Sequence, residues 1–183
     1  MKANTYEYPD FDKFNTFPKL LKHRSEIMPD EVALRNKDLG IWNEITWDEY
    51  NKIVSELSIG LKSIGFKKGD VLALIGDNKP EWVFFEIACH ANGGMSLGVY
   101  RDTLDDEVGY LVKSAKVKFA YAEDQEQVDK LINVQKKLKT KIKVIYDDPR
   151  GLEKLKNPNV INMKDLACLL YTSPSPRDSL ASR

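Results

Sequence analysis

Two short loops carry the side chains best placed for chemistry. Residues 76–78 (Gly-Asp-Asn) follow the apolar run Val71–Ile75, and residues 100–102 (Tyr-Arg-Asp) follow a second apolar segment. In an open parallel sheet, ligands bind beyond the carboxyl ends of the strands, where such loops lie. The sequence therefore makes Arg101 a candidate for binding a phosphate and Asp77 a candidate for acid–base chemistry.

The carboxylates near the first loop have a simpler structural explanation. Asp77, Asn78 and Glu81 could be read as a carboxylate pair for general acid–base work. Asp and Asn are, however, residue types that cap helices, Pro80 suits a first helical turn, and Glu81 complements the positive end of the helix dipole. We therefore predict that Asp77 or Asn78 caps a helix.

The remaining candidates also have structural explanations. We expect Arg101 to pair at the surface with Asp102 or Asp105, because exposed pairs of this kind are common and weak. Trp82 could line a ligand, but its helical spacing with Phe85 favours packing in the core or between subdomains. Three further candidates lack partners at metal-ligand spacing: His23, Cys89 and His90. We assign no catalytic, cofactor-binding or metal-binding residue in this chain.

The candidate loops are positioned by alternating strands and helices. Val71–Ile75 is continuously apolar, as in a strand covered on both faces. A helix carrying Trp82 follows it, ends at Gly93, and leads into a second strand from Met95 to Val99. This strand–helix–strand unit predicts a parallel α/β sheet with right-handed crossovers.

The alternation continues toward the C-terminus. Thr103 is expected to cap a helix over 104–113, and residues 117–122 are expected to form a strand. Asp124 should begin a long charged helix, and residues 142–146 should form a further strand.

The N-terminal region predicts a different arrangement. Residues 1–16 form a polar leader, and Thr16 is expected to cap an amphipathic helix over 17–27. Segments 32–35 and 42–46 predict a short β-hairpin. Thr46 and Glu49 have the spacing of a capping box, which starts a helix that runs to Gly65.

Several motifs in this series occur together in a fixed order. They are Ile45-Thr46-Trp47 with Tyr50, Gly69-Asp70, Asn78-Lys79-Pro80-Glu81-Trp82, Gly98-Val99-Tyr100 and Glu107-Val108-Gly109-Tyr110-Leu111. In these residues the chain resembles the N-terminal part of the adenylate-forming (AMP-binding) synthetases, of the long-chain fatty acid–CoA ligase type. Residues 146–152 favour the bacterial fatty acyl branch over the peptide-synthetase and luciferase branches. The resemblance runs from about Phe17 to Leu166 and implies a partial N-terminal subdomain of that fold.

The resemblance implies a ligase mechanism whose main parts lie downstream. Such enzymes use ATP and magnesium to adenylate a fatty carboxylate and then pass the acyl group to coenzyme A. Their phosphate site is a Ser/Thr/Gly-rich loop that ends in lysine, because negative charge must be stabilised during transfer. Residues 172–175 lack the glycines of that loop. We therefore expect the parent to be an enzyme and the fragment to be inactive.

Two alternatives from other classes stay open. The chain could be a truncated binding or regulatory module of the same fold. It could also be a small flavodoxin-like nucleotide-binding protein, although residues 76–80 lack the glycine- or hydroxyl-rich phosphate loop that such a protein needs.

The C-terminal segment 168–183 has no hydrophobic periodicity and no relation to what precedes it. Codons that encode it resemble the end of a transposase-based sequencing adapter. We therefore expect it to be an artefactual, disordered tail and take 17–167 as the incomplete AMP-binding domain. The missing remainder of that domain would leave apolar surface exposed, so we expect poor solubility.

Composition narrows the partners and the location. The 183 residues have a formal net charge of zero, which gives no electrostatic case for nucleic acid. Two cysteines without a disulfide or metal pattern fit the cytoplasm. No apolar run approaches the roughly 20 residues that span a bilayer, so a membrane contact would be peripheral, at the inner membrane face. The lysine-rich segment 136–143 could provide it, although a solvated helix end is the simpler interpretation.

Overall fold

The computed structural model describes residues 8–166, which divide into two compact units between Ile53 and Val54. The first unit contains helix α1 (Phe17–Ile27) and an antiparallel pair of strands, β1 (Val32–Asp38) and β2 (Ile41–Thr46). The Thr16 hydroxyl accepts a hydrogen bond from the Lys19 N–H, which confirms the predicted cap. The predicted hairpin is also confirmed, with strands longer than expected.

The capping box at the start of helix α2 (Trp47–Ser63) is confirmed. The Thr46 Oγ1 accepts from the Glu49 N–H at 3.2 Å, and the Glu49 carboxylate accepts from the Thr46 N–H at 2.9 Å. Each side chain therefore satisfies a backbone donor that the helix itself leaves without a partner.

A five-stranded parallel sheet dominates the second unit. Its strands are β3 (Val71–Ile75), β4 (Met95–Val99), β5 (Phe119–Ala122), β6 (Lys143–Tyr146) and β7 (Val160–Asn162), in the spatial order β4-β3-β5-β6-β7. The helices are α3 (Pro80–Ala91), α4 (Asp105–Ser114) and α5 (Gln125–Leu138). The predicted α/β class and parallel sheet are confirmed, and β7 is an addition to the prediction.

The side chains of β3 explain why the sheet is covered on both faces. Val71, Ala73 and Ile75 join a core cluster that includes Val112 and Leu131 of α4 and α5. Alternation along the strand sends the residues between them to the opposite face.

The opposite face of the sheet is closed by aromatic side chains. There Tyr121 stacks on Phe85 of α3 at 4.7 Å, and Phe66 meets Phe119 edge-on at 5.0 Å. All five residues of β3 are buried, as their continuous apolar run predicts.

Two predicted caps are wrong. Helix α3 begins at Pro80, and a residue before proline is confined to extended backbone, so Lys79 takes the N-cap position (φ −114°, ψ 160°) in place of Asp77 or Asn78. Helix α4 begins at Asp105, so Leu104 is its N-cap and Thr103 lies in the preceding turn. Neither helix has a side-chain cap. By contrast, Asp124 caps α5 as predicted and accepts from the Gln127 N–H.

Within residues 8–166, no helix combines the length and apolar character that crossing a membrane requires.

Candidate functional site

The carboxyl ends of β3 and β5 meet at a buried carboxylate. The Glu123 N–H donates to the Ile75 carbonyl at 3.0 Å and so continues the pairing of the two strands. The Glu123 side chain is 8% exposed and its Oε2 accepts from the Asp77 N–H at 2.6 Å. Gly76 makes this approach possible, because a Cβ there would lie 2.7 Å from the Glu123 Cβ.

Lys79 neutralises this buried carboxylate. Its Nζ lies 2.5 Å from the Glu123 Oε1, and its own side chain is 40% exposed. Burial alone would lower the pKa of Lys79, but its hydrogen bond to Glu123 and the nearby negative charges raise that pKa above its ordinary value. The N-cap residue of α3 is thereby tied to the end of β5.

Arg101 links the first candidate loop to the start of α5. Its Nη1 lies 2.5 Å from the Asp77 Oδ2, and its Nη2 lies 3.6 Å from the Asp124 Oδ2. The hydrogen bond and charge of Asp77 raise the pKa of Arg101. Lys130 donates to the Arg101 carbonyl at 2.5 Å. The predicted pairing with Asp102 or Asp105 is therefore wrong, because the sheet brings a residue 24 positions away closer than the chain neighbours.

The end of β6 carries two adjacent carboxylates with opposite electrostatics. Burial raises the pKa of Asp147, and the charges of Asp148 and Glu123 add to this effect. Hydrogen bonds from Arg150 lower the pKa of Asp148. Burial likewise raises the pKa of Glu81 in the first turn of α3, with the charge of Asp147 contributing. These groups repel one another across the same edge of the sheet.

Two buried side chains near this edge have polar atoms without a hydrogen-bond partner among the described residues. They are the Tyr121 hydroxyl and both polar atoms of the Gln127 amide. Burial and the surrounding carboxylates, Asp147 first among them, raise the pKa of Tyr121. The Tyr121 hydroxyl therefore stays protonated.

The cations Lys79 and Arg101 at this edge are each paired with a carboxylate, Lys79 with Glu123 and Arg101 with Asp77. Residues 8–166 contain no group of three or more His, Cys, Asp and Glu side chains arranged to hold a metal ion. The arrangement ties strand ends to helix starts.

The other sequence candidates contact structural neighbours. A Cβ at Gly98 would lie 3.1 Å from the Trp82 ring, so the indole packs on β4. His90 Nε2 contacts the Ser96 hydroxyl at 3.1 Å, and that hydroxyl donates to Glu86. Because the serine proton points to Glu86, this is not a nucleophile facing its base.

The surroundings of the last two candidates, Cys89 and His23, indicate structural roles. Burial raises the pKa of Cys89 to about 12, which disfavours the reactive thiolate. The His23 ring stacks on Phe14 at 4.0 Å.

Sequence reasoning missed Glu123, Lys79 and Asp147. A usable signal was present, because an acidic residue follows both 117–122 and 142–146 directly, and another follows Val71–Ile75 after one glycine. Applying the strand-end rule to every predicted strand would have found Glu123 and Asp147. The role of Lys79 could not be predicted from the sequence, because its partner Glu123 lies at the end of another strand.

Curated relatives of this chain include ligases and a peptide synthetase. The long-chain-fatty-acid–CoA ligase ACSBG1 of Bos taurus is 25% identical over 138 residues, which are 75% of this chain and 19% of that protein. Bacitracin synthase 2 of Bacillus licheniformis is 26% identical, over 93% of this chain and 6% of that protein. The chain thus spans about a fifth of the ligase. The two identities do not separate the fatty acyl branch from the peptide-synthetase branch.

Solved structures share the fold. The luciferase-like enzyme of the mealworm Zophobas morio superposes with a TM-score of 0.72 at 16% identity, over 88% of this chain and 35% of that one. Acetoacetyl-CoA synthetase of Streptomyces lividans superposes with a TM-score of 0.70 at 19% identity, over 82% of this chain and 24% of that one. At such identities the likeness establishes the architecture alone.

A family model described as AMP-binding enzyme matches residues 21–175 and ends within the tail 168–183. The match takes in all five strands of the parallel sheet and the charged edge described above. Because it extends over most of the sequence, the chain belongs to the AMP-binding enzyme family.

Proposed function

We propose that this chain is the N-terminal part of an ATP-dependent long-chain fatty acid–CoA ligase. The observation that carries the proposal is the similarity to the bovine ligase over 138 residues, within a chain whose family is the AMP-binding enzymes. The ordered motifs of the sequence support the same ligase type.

The proposed reaction has two steps. A fatty carboxylate oxygen attacks the α-phosphorus of ATP, the bond to pyrophosphate breaks, and an acyl-adenylate forms. The thiol of coenzyme A then attacks the acyl carbonyl and AMP leaves, while the thiol proton passes to solvent. Magnesium would offset phosphate charge in the first step.

The fragment itself is proposed to be inactive. Two strand-end cations are already paired: Lys79 with Glu123, and Arg101 with Asp77. A cation that is neutralised by a carboxylate at 2.5 Å contributes little to binding a phosphate. The phosphate and acyl sites are therefore assigned to the part of the parent outside this chain.

A long DNA read across the codon for Ala167, made without a transposase adapter, tests the origin of the tail. We expect the frame to continue into a glycine-, serine- and threonine-rich loop that ends in lysine. A native stop codon after Ala167, or an unrelated downstream domain, would overturn the assignment.

The activity is tested on the full-length product by ATP–pyrophosphate exchange. We expect exchange that depends on a long-chain fatty acid, followed by thioester formation with coenzyme A, and no exchange by the 183-residue chain alone. Exchange that depends on an amino acid instead would place the parent among the peptide synthetases, one of which matches equally well.

The alternative is a non-catalytic binding or regulatory module of the same fold. The pairing of the strand-end cations Lys79 and Arg101 with carboxylates is the observation that favours it. A native stop codon together with a monomeric, soluble chain would support this alternative.

A further inference from the structure

Two adjoining grooves run along the seam between α4 and α5. The smaller, of about 320 Å³, is lined by Asp105, Asp106, Tyr110 and Val134 among others, and the larger, of about 670 Å³, by Val112 and Val117. The grooves share Lys113, Lys137 and Leu138. They therefore form one continuous surface with an apolar floor.

Lysines dominate the larger groove. Five of them line it: Lys113, Lys116, Lys118, Lys137 and Lys139. No acidic side chain does so. We call these five residues and their apolar floor the lysine groove. Positive charge is concentrated there although the chain as a whole has a formal net charge of zero.

Ion pairs neutralise only two of the five lysines. Lys118 pairs with Asp70 at 2.7 Å, and Lys137 pairs with Asp106. Lys113, Lys116 and Lys139 are exposed and have no ion pair or side-chain hydrogen bond within residues 8–166. Three cations therefore stay available to an anion.

These lysines are not required to cap the helices beneath them. The carbonyls that end α4 and α5 already accept backbone hydrogens, Val112 from the Val117 N–H and Gln135 from the Lys139 N–H. Lys116 and Lys139 also take positive φ angles of 54° and 52°, a position where glycine or asparagine is usual.

We propose that the lysine groove docks on the surface of an anionic bilayer. The ammonium groups would contact lipid phosphates, and Tyr110, which lines the adjoining smaller groove and is 71% exposed, would enter the interfacial region. The groove contains three lysines from outside the segment 136–143 that the sequence suggested for membrane contact. Lys143 of that segment does not line the groove, and its Nζ donates to the Ile64 carbonyl. The surface is thus assembled by the fold.

A bilayer suits this surface better than a nucleic acid. The charge is confined to one groove with an apolar floor, whereas nucleic-acid binding needs a basic stripe on a domain of high net charge. The proposal rests on this chain's own residues and not on ligase activity, so binding and activity can fail separately.

Flotation of vesicles on a density gradient tests the proposal with the 183-residue chain. Bound protein floats and aggregated protein sinks, so poor solubility does not mimic binding. The vesicles contain phosphatidylglycerol in phosphatidylcholine, or phosphatidylcholine alone. We expect flotation with the anionic vesicles only, and its loss at about 1 M salt, where charges are screened within about 3 Å.

Two triple variants that change the net charge of the chain by the same amount test whether the position of the lysines matters. Lys113→Glu/Lys116→Glu/Lys139→Glu should weaken partitioning by at least about 100-fold, since each lysine near an anionic surface contributes about fivefold and each glutamate adds repulsion. Lys52→Glu/Lys154→Glu/Lys156→Glu changes three exposed lysines elsewhere and should partition much more strongly than the groove variant. Circular dichroism of both checks the fold.

Four results would overturn the proposal. They are no flotation with anionic vesicles, equal flotation with neutral vesicles, equal losses in the two triple variants, or tight binding of duplex DNA or an acidic peptide without binding of vesicles. Competition by inorganic phosphate at a concentration too low to screen charge would assign the groove to a soluble anion, which also contradicts bilayer docking.

Discussion

Glu123 shows how a single buried carboxylate can join three elements. It accepts from the Asp77 N–H after β3, pairs with Lys79 at the start of α3, and itself ends β5. The two partners are not equally protected from water, because Glu123 is 8% exposed and Lys79 is 40% exposed. Removing Lys79 should therefore change the free energy of unfolding by a different amount than removing the Glu123 charge.

The asymmetry predicts unequal costs in the free energy of unfolding. Lys79→Met leaves a buried carboxylate without its cation and should cost about 2 kcal/mol, below the usual value for a fully buried pair because Lys79 is partly exposed. Glu123→Gln leaves a lysine that can reach water and should cost about 1 kcal/mol. Urea unfolding measures both.

An exposed pair serves as the control. Arg35→Gln breaks the pair with Glu44, whose side chains are 62% and 50% exposed, and should cost no more than about 0.5 kcal/mol. If Lys79→Met costs no more than Arg35→Gln, the buried pair does not have the assigned role.

The adjacent carboxylates Asp147 and Asp148 should affect stability with opposite pH dependence. The pKa of Asp147 is raised by folding, so its ionisation penalises the folded state, and this penalty develops as pH rises from 3.8 through the folded pKa. The pKa of Asp148 is lowered, so Asp148 contributes stability that is present above 3.8 and lost as pH falls through the folded pKa.

Urea unfolding at about pH 3.5 and pH 7 checks these signs. Relative to the unmodified chain, Asp147→Asn should become more favourable at the higher pH and Asp148→Asn less favourable. Trends of the same sign in both variants would contradict the assigned electrostatics. Each variant is the other's control, since both replace a carboxylate in the same loop.

At the scale of elements, local rules worked where one chain segment decides the outcome. Thr16, Thr46 and Asp124 cap their helices because each bonds to a backbone N–H three residues ahead. The sequence shows such spacings directly. Parallel strands were equally readable, since Val71–Ile75 is apolar without interruption.

The sequence did not predict the partners of side chains that bond to residues far away in the chain. Asp77 bonds to Arg101, which lies 24 positions away, and the Glu123 carboxylate accepts from a backbone 46 positions away. No local spacing encodes these partners, because they depend on β3 lying between β4 and β5. Strand β7 escaped notice because its three residues are too few for a period to show.

Replacing a threonine that caps a helix should cost more stability than replacing one that does not. Thr46→Ala removes an acceptor of the capping box and should lower the free energy of unfolding by about 1 kcal/mol. Thr103→Ala changes a threonine that the sequence favours as a cap but the structure does not use, so it should change stability by less than about 0.5 kcal/mol. Equal losses in thermal or urea unfolding would contradict the assigned start of α4.

At the scale of the molecule, β4 is an edge strand of the parallel sheet. Among the described strands β4 pairs only with β3, and its residue Met95 is 55% exposed. A parallel strand is ordinarily buried on both faces, and an open apolar edge offers backbone groups to another chain.

This open edge predicts self-association of the 183-residue chain. Sedimentation velocity over a concentration series should show association, and Met95→Lys should move its onset to a concentration at least about threefold higher, because a charge on an edge strand opposes strand pairing. Leu39→Lys is the control, since Leu39 is 95% exposed but lies in the turn between β1 and β2. If both lysine variants shift the onset equally, general solubility explains the effect. A chain that stays monomeric throughout would show that β4 is protected in solution.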